Sequence, residues 1–317
     1  MSDDAPEAPL PLIAETDSGL PIARPALGLT AYLAEPDSWA RGGASKALKV
    51  FLERAPRKRL EFLTTSVMTE WRALAQRELE ALADELTAQV LLLKAPRHHF
   101  TLSLVDVPDL PEVGFSYTEI DPKRGDRAGV LELTLPPETP PSQLVDLAKA
   151  IAEIGPLFSM VGGCVVRWSP IFQNLAFDQI YLWSRRYVGF DVQDAEEMAW
   201  HAPESLPGTG WLTLVGNPLA ETIDCSPEKL LRQKWKEKIE VHRTSAGVLI
   251  QAGSEPSWGD LNAFAFPDAY AEVARALKDG LPKAPPRLQG AFRADDLTLQ
   301  WLRRFVEPGK WIVPAPD

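Results

Sequence analysis

Three alternating stretches in succession constrain this chain more than any other feature of it. Phe100, Leu102 and Leu104 alternate with Thr101 and Ser103, Val113, Phe115 and Tyr117 repeat the pattern, and Leu131, Leu133 and Leu135 stand against Glu132 and Thr134. Successive strand side chains point to opposite faces, so each stretch predicts a half-buried strand with one apolar face. The connection Asp121–Gly129, DPKRGDRAG, carries a proline and two glycines and predicts a hairpin loop. Three such strands in a row predict an antiparallel meander.

The remaining pattern extends this in both directions. Residues 1–24 are rich in proline and acids without periodicity and read as a tail or surface strap. Ala26–Leu33 is the first expected strand. A helix is expected from Ser45 to a break at Pro56. A long helix should follow, with Leu60, Leu63, Val67, Trp71 and Leu74 at helical spacing and Leu79, Leu82 and Leu86 extending the stripe. After the meander, Ser142 reads as an N-cap with Leu144, Leu147, Ala148 and Ile151 facing inward. Met160–Val166 reads as a buried strand.

The second half opens on an aromatic-rich helix, Phe172–Tyr187, followed by a long acidic connection, Asp191–Gly210. Trp211–Gly216 is a strand, and Ser226-Pro227-Glu228 opens a helix with a cap, a proline and an acid in place. Ile239–Arg243 and Gly247–Gln251 should pair as a hairpin. Asp268 is expected to cap a helix carrying Tyr270, Val273, Ala274 and Leu277, ended by Gly280 and Pro282. The order strand, helix, strands, helix thus appears twice. The expected fold is α+β: two similar α/β halves, residues 25–170 and 171–281, with mainly antiparallel sheets flanked by helices. Whether they share one sheet stays open. Residues 282–317 form a Pro-rich segment with one short helix (Leu297, Trp301, Leu302, Phe305) folding back onto the body.

Catalytic motifs do not emerge. There is no GxSxG elbow, phosphate-binding GxxxxGK[ST], GxGxxG or HExxH. His98 and His99 are adjacent, which sends them to opposite faces of a strand, while His201 and His242 stand alone. Cys164 and Cys225 are far apart and in no CxxC pattern. No cofactor or metal is expected. The formal charge of −11 argues against nucleic-acid binding and against an anionic membrane, and it suits a basic partner. With no signal-like N-terminus and no long apolar run, the expected location is the cytoplasm.

The stretch Gly247–Asn262, GVLIQAGSEPSWGDLN, joins a strand to a turn built from Gly253, Pro256, Gly259 and Asp260, with Trp258 inside it. Asp260 could act as a general base, although an Asx-turn explains the same residue. Upstream lies Gly210-Trp211-Leu212-Thr213-Leu214-Val215-Gly216, and downstream Pro267-Asp268-Ala269-Tyr270. Together, from Trp211 and Gly216 to Tyr270, these motifs resemble the type VI immunity family of bacteria. The resemblance runs from about Gly28 to Leu281. It implies a non-enzymatic protein that binds and neutralises a cognate type VI secretion effector. The first expectation for that partner is a nuclease with a restriction-endonuclease-like domain. No binding residues carry over from the resemblance.

Candidate partner-binding residues come instead from charge. Between Asp191 and Glu228 stand eight carboxylates and no Lys or Arg: Asp191, Asp194, Glu196, Glu197, Glu204, Glu221, Asp224 and Glu228. Like charges gathered on one face repel unless a basic partner or a cation relieves them. Met198, Trp200 and Trp211 among them give the aromatic-and-charge composition of a protein-binding hot spot. Asp191, Asp194, Glu196, Glu197, Trp200 and Glu204 are the candidates. Two alternatives remain: a small-molecule enzyme or ligand-binding protein with a pocket between the halves lined by Trp211, Trp258 and Asp260, and a component of the secretion apparatus.

Overall fold

The computed structural model describes residues 13–94, 100–119, 127–192, 194–284, 286 and 288–312. Its strands are β1 (Ala14–Glu15), β2 (Pro21–Leu33), β3 (Phe62–Thr65), β4 (Arg72–Ala73), β5 (Thr101–Val105), β6 (Gly114–Thr118), β7 (Gly129–Leu135), β8 (Leu157–Trp168), β9 (Leu212–Gly216), β10 (Ile239–Arg243) and β11 (Gly247–Ala252). The α-helices are α1 (Pro36–Ser38), α2 (Ala44–Arg54), α3 (Gln76–Lys94), α4 (Pro141–Ala152), α5 (Gln173–Ser184), α6 (Ala195–Met198), α7 (Asn217–Thr222), α8 (Pro227–Arg232), α9 (Asp268–Ala276), α10 (Asp295–Leu302) and α11 (Pro308–Trp311).

All these strands lie in one sheet, ordered β10-β11-β9-β8-β2-β7-β6-β5-β3-β4, with β1 paired to β2 off this path. Every ladder in it is antiparallel. The open question about the halves is answered at β8, which pairs β2 on one side and β9 on the other, Met160 facing both Ala31 and Leu214. Residues 171–281 add only β9, β10 and β11 to a sheet that the preceding residues had already begun.

Register explains which side chains are buried. Leu27, Leu29, Ala31 and Leu33 of β2 line up with Leu135, Leu133, Leu131 and Gly129 of β7, and the row continues through Phe115 and Tyr117 of β6 to Leu104 and Leu102 of β5. This apolar face is covered by α2, α3 and α4, with Phe51 of α2 5.7 Å from Phe115 between ring centroids. The other face carries Thr30, Thr64, Ser103, Ser116 and Glu132 in one cross-strand row, all half-buried. An antiparallel sheet tolerates this asymmetry because no crossover helix is forced onto its second face.

Several expectations need correction. β1 takes Ala14–Glu15 and β2 begins at Pro21, so residues 14–15 and 21–24 are strand and not tail. Pro25 is tolerated because β7 joins β2 only from Leu27 onward, leaving that flank of the strand unpaired at position 25. The expected helix over Leu60–Leu74 does not form: β3 and β4 occupy it, and helix begins only at Gln76. Val67 and Trp71 are 47% and 36% exposed, so the five positions never made one buried stripe. Ser142 is not a cap, since α4 starts at Pro141 after Pro140 with no side-chain cap. Asp268 is the first helical residue of α9 rather than its cap. The hairpin loop expected at Asp121–Gly129 falls largely outside the described residues, as do His98 and His99.

The C-terminal segment does fold back. Trp301 and Trp311 are fully buried, and Trp301, Trp311, Phe292 and Phe190 make a chain of ring contacts at 5.2–6.0 Å. Trp311 also donates from Nε1 to the Ser184 carbonyl at the end of α5 (2.9 Å). These large rings carry much of the local burial energy.

Candidate partner-binding surface

The acidic segment is fixed across the polar face of the sheet. Asp191 bonds through its backbone to β8, donating to the Cys164 carbonyl (2.8 Å) and accepting from Val166 N (3.3 Å). Asp194 then caps α6, its Oδ1 accepting from Glu197 N at 3.1 Å. The inner side of α6 and the next turn, Ala195, Met198, Ala199 and Ala202, packs on Tyr32, Ala128 and Val130 to make a second, small core. Ala128 N donates to the Ala199 carbonyl (2.8 Å), locking the segment to the start of β7. A short helix of this kind has no independent stability, and its apolar underside holds it in place.

This docking gathers charge that the sequence keeps apart. Asp194 lies near Glu132 of β7 as well as Glu196 and Glu197, and burial first, then these carboxylates, push its pKa up while the Glu197 amide opposes. Burial, with Asp191, Glu132 and Asp194 nearby, likewise holds the Tyr32 hydroxyl far above its usual range. Two arginines temper the repulsion. Arg167 donates to Glu132 (2.9 Å), and Arg127 approaches Glu196 at 3.8 Å while its guanidinium lies 5.5 Å from the centre of the Trp200 ring. Trp200 itself is 41% exposed.

The candidates are not all brought together. Asp191, Asp194, Glu196, Glu197 and Trp200 share the α6 region, whereas Glu204 lines a cleft of about 520 Å³ with His201, Asp224, Asp279 and Lys283. Glu228 is further removed, paired with Arg243 of β10 at 2.8 Å, and that bond holds its pKa low. The eight carboxylates therefore do not form one face. Glu132 and Arg127 are the members that sequence reasoning missed. Strand alternation did send Glu132 to the polar face, but nothing local announced that α6 would lie there.

The glycine-and-tryptophan motif proves to be a strut. Trp211 is fully buried and donates from Nε1 to the Gly253 carbonyl (2.9 Å). At Gly216 a Cβ would fall 1.8 Å from the Leu157 carbonyl oxygen, so only glycine fits beside β8. Gly259 holds φ at +65°, and the turn from Gly253 through Pro256 closes against Gly189, whose own Cβ would strike the Ser257 carbonyl. Trp258 rests 5.9 Å from Phe190, and the Tyr270 hydroxyl accepts from Ser257 N (2.8 Å). Asp260 takes a bidentate bond from Arg186 (2.9 and 2.7 Å) and caps the turn through Asn262 N. The Arg186 bond keeps its pKa below the usual carboxylate range, the opposite of a poised general base. Of the expected pocket lining, Trp211 is thus fully buried and hydrogen-bonded, Trp258 packs on Phe190 and Asp260 is held by Arg186.

One buried cation supports the acidic segment from behind. Arg304, 3% exposed, donates to the carbonyls of Val188 (2.7 Å), Phe190 (3.0 Å) and Trp301 (2.9 Å). Its guanidinium lies 3.6 Å from the Trp301 ring centre and 4.3 Å from that of Phe305. Burial pushes its pKa down to about 9, and Asp191 opposes this, so it stays charged at neutral pH. It thereby fixes the backbone immediately before Asp191. Among the described residues no group of three or more His, Cys, Asp or Glu is arranged to hold a metal ion, and no helix is long and apolar enough to cross a membrane.

Comparison with known proteins agrees with this architecture. A family model described as type VI immunity for VRR-NUC matches residues 45–305. A solved structure of a Pseudomonas aeruginosa T6SS protein superposes with a TM-score of 0.74 at 19% identity, covering 96% of this chain and 90% of that one. At that identity the likeness is one of fold. No curated protein matches.

Proposed function

The chain belongs to the family of type VI immunity proteins for VRR-NUC, and from that premise we propose that it protects the producing cell by binding a VRR-NUC effector nuclease in the cytoplasm. The single observation that carries this reading is the family match across residues 45–305, which takes in both the glycine-and-tryptophan strut and the acidic segment. Inhibition by occupancy requires no catalytic group. It requires a rigid surface and slow dissociation.

The α6 region supplies such a surface. A nuclease must carry a basic footprint to hold a polyanion, and a chain of net charge −11 attracts that footprint from a distance. Asp191, Asp194, Glu196, Glu197 and Trp200 form the central part of the proposed contact, with Glu204 at its border. The test is co-expression of the chain with the VRR-NUC effector of the same strain, scoring growth and co-purification. Rescue together with a stable complex supports the reading. Growth arrest in the presence of well-folded chain overturns it.

A further inference from the structure

We propose that Phe264 is an anchor of the effector interface, a preformed aromatic that enters an apolar socket on the nuclease; the inference rests on the function proposed above. Phe264 is 95% exposed, the most exposed of the chain's large hydrophobic side chains among the described residues. It also holds φ at +55°, a left-handed conformation that a non-glycine residue without a short polar side chain adopts only at a cost. The left-handed conformation caps the short 3-10 helix Leu261–Ala263, but nothing in the fold requires a phenylalanine to supply that cap. The side chain buries nothing, and glycine or asparagine would fill the same turn with less strain.

The loop around it is nevertheless built to stay put. Every backbone N–H from Leu261 to Ala265 is bonded: Leu261 to the Arg186 carbonyl (2.9 Å), Asn262 to Asp260 Oδ1 (3.0 Å), Ala263 and Ala265 to the Asp260 carbonyl (3.1 and 3.0 Å), and Phe264 to the Leu261 carbonyl (3.1 Å). The bidentate Arg186–Asp260 pair bolts this turn to the end of α5. A strained and exposed ring on a fully bonded loop is what preorganised recognition needs, because little ordering remains to be done on binding.

Charge in the surrounding sequence favours a basic occupant. From Thr244 to Ala274 the chain has no Lys or Arg and four carboxylates, Glu255, Asp260, Asp268 and Glu272. Asp260 is taken by Arg186, and Glu272 accepts from the backbone of Lys236 and Glu237. Glu255 and Asp268 are exposed on either side of Phe264 in sequence. With Arg186 paired to Asp260, the exposed charges nearest Phe264 in sequence are acidic, which suits an apolar socket with a basic rim, such as a nucleic-acid-binding enzyme presents, and disfavours an anionic lipid surface.

The experiment compares wild type with Phe264→Gly and Phe264→Leu against the catalytically inactivated VRR-NUC effector of the same strain, reading dissociation rate, melting temperature and oligomeric state. Phe264→Gly should dissociate about 30-fold faster or more, as for loss of a hot-spot aromatic, while melting at the same or a higher temperature because the strain is relieved. Phe264→Leu should fall between. Equal dissociation rates for wild type and Phe264→Gly overturn the proposal. So does a lower melting temperature in Phe264→Gly, which assigns the ring to folding, or a wild-type dimer that Phe264→Gly abolishes, which assigns it to a second copy of this chain. Wild type that fails to bind the effector at all overturns the function itself and this inference with it.

Discussion

Replacing Arg304 by alanine tests how the C-terminal segment supports the acidic surface. The change removes the donors that Val188 and Phe190 use from α10's end, and it empties the slot between Trp301 and Phe305. Each buried carbonyl left without a partner costs about 1–3 kcal/mol, and a desolvated cation over an aromatic ring about 2 kcal/mol. Relief from burying a charge offsets part of this. The net loss should be about 3–5 kcal/mol, a large share of a typical stability of about 5–15 kcal/mol. With an unfolding entropy of roughly 2 cal/mol/K per residue, a chain of this length should melt about 4–8 °C lower. Scanning calorimetry and urea denaturation measure the stability, and hydrogen exchange at residues 188–191 locates the loosening. Arg304→Lys should recover only part of the loss, since an ammonium cannot span two carbonyls as a planar fork does. A loss below about 1 kcal/mol in Arg304→Ala, with unchanged exchange at 188–191, would mean that Arg304 does not brace the acidic segment.

Three further changes probe other parts of the argument. Gly216→Ala forces a Cβ to 1.8 Å from the Leu157 oxygen, where only backbone could yield, so it should cost about 3 kcal/mol or more by urea denaturation. Asp194→Asn keeps the helix cap but removes a half-buried charge. Because burial raises the folded pKa of Asp194 above its unfolded value of 3.8, wild type loses stability as pH rises from that value through the folded pKa; the variant should lack that loss and gain on wild type as pH rises above about 4. A stability difference independent of pH would remove Asp194 from the account. Glu196→Lys and Glu197→Lys should each weaken effector binding about tenfold at low salt and flatten its salt dependence, measured by titration calorimetry at two ionic strengths. Unchanged affinity and salt slope would take these two glutamates out of the interface.

What could be read from the sequence was whatever depends on a few neighbouring residues. Alternation at Phe100–Leu104, Val113–Tyr117 and Leu131–Leu135 gave the meander, and the cap at Ser226 accepts from Lys229 N as expected. The motif from Trp211 to Tyr270 pointed to the family without revealing that its residues bond one another. Leu60–Leu74 misled because leucines three apart suit a helix, while the alternative, two short strands at a sheet edge, leaves too few residues for a visible period.

The tertiary structure alone decided that β8 would join both halves in one sheet, that α6 would cross the back of β2 and β7, and that Arg127, Glu132 and Arg304 would meet the acidic segment. It also decided that Phe264 would stand in solvent at positive φ. Periodicity and caps are short-range and are written residue by residue. Which charge faces which depends on register between strands distant in sequence, and that is fixed only when the whole sheet closes on its core.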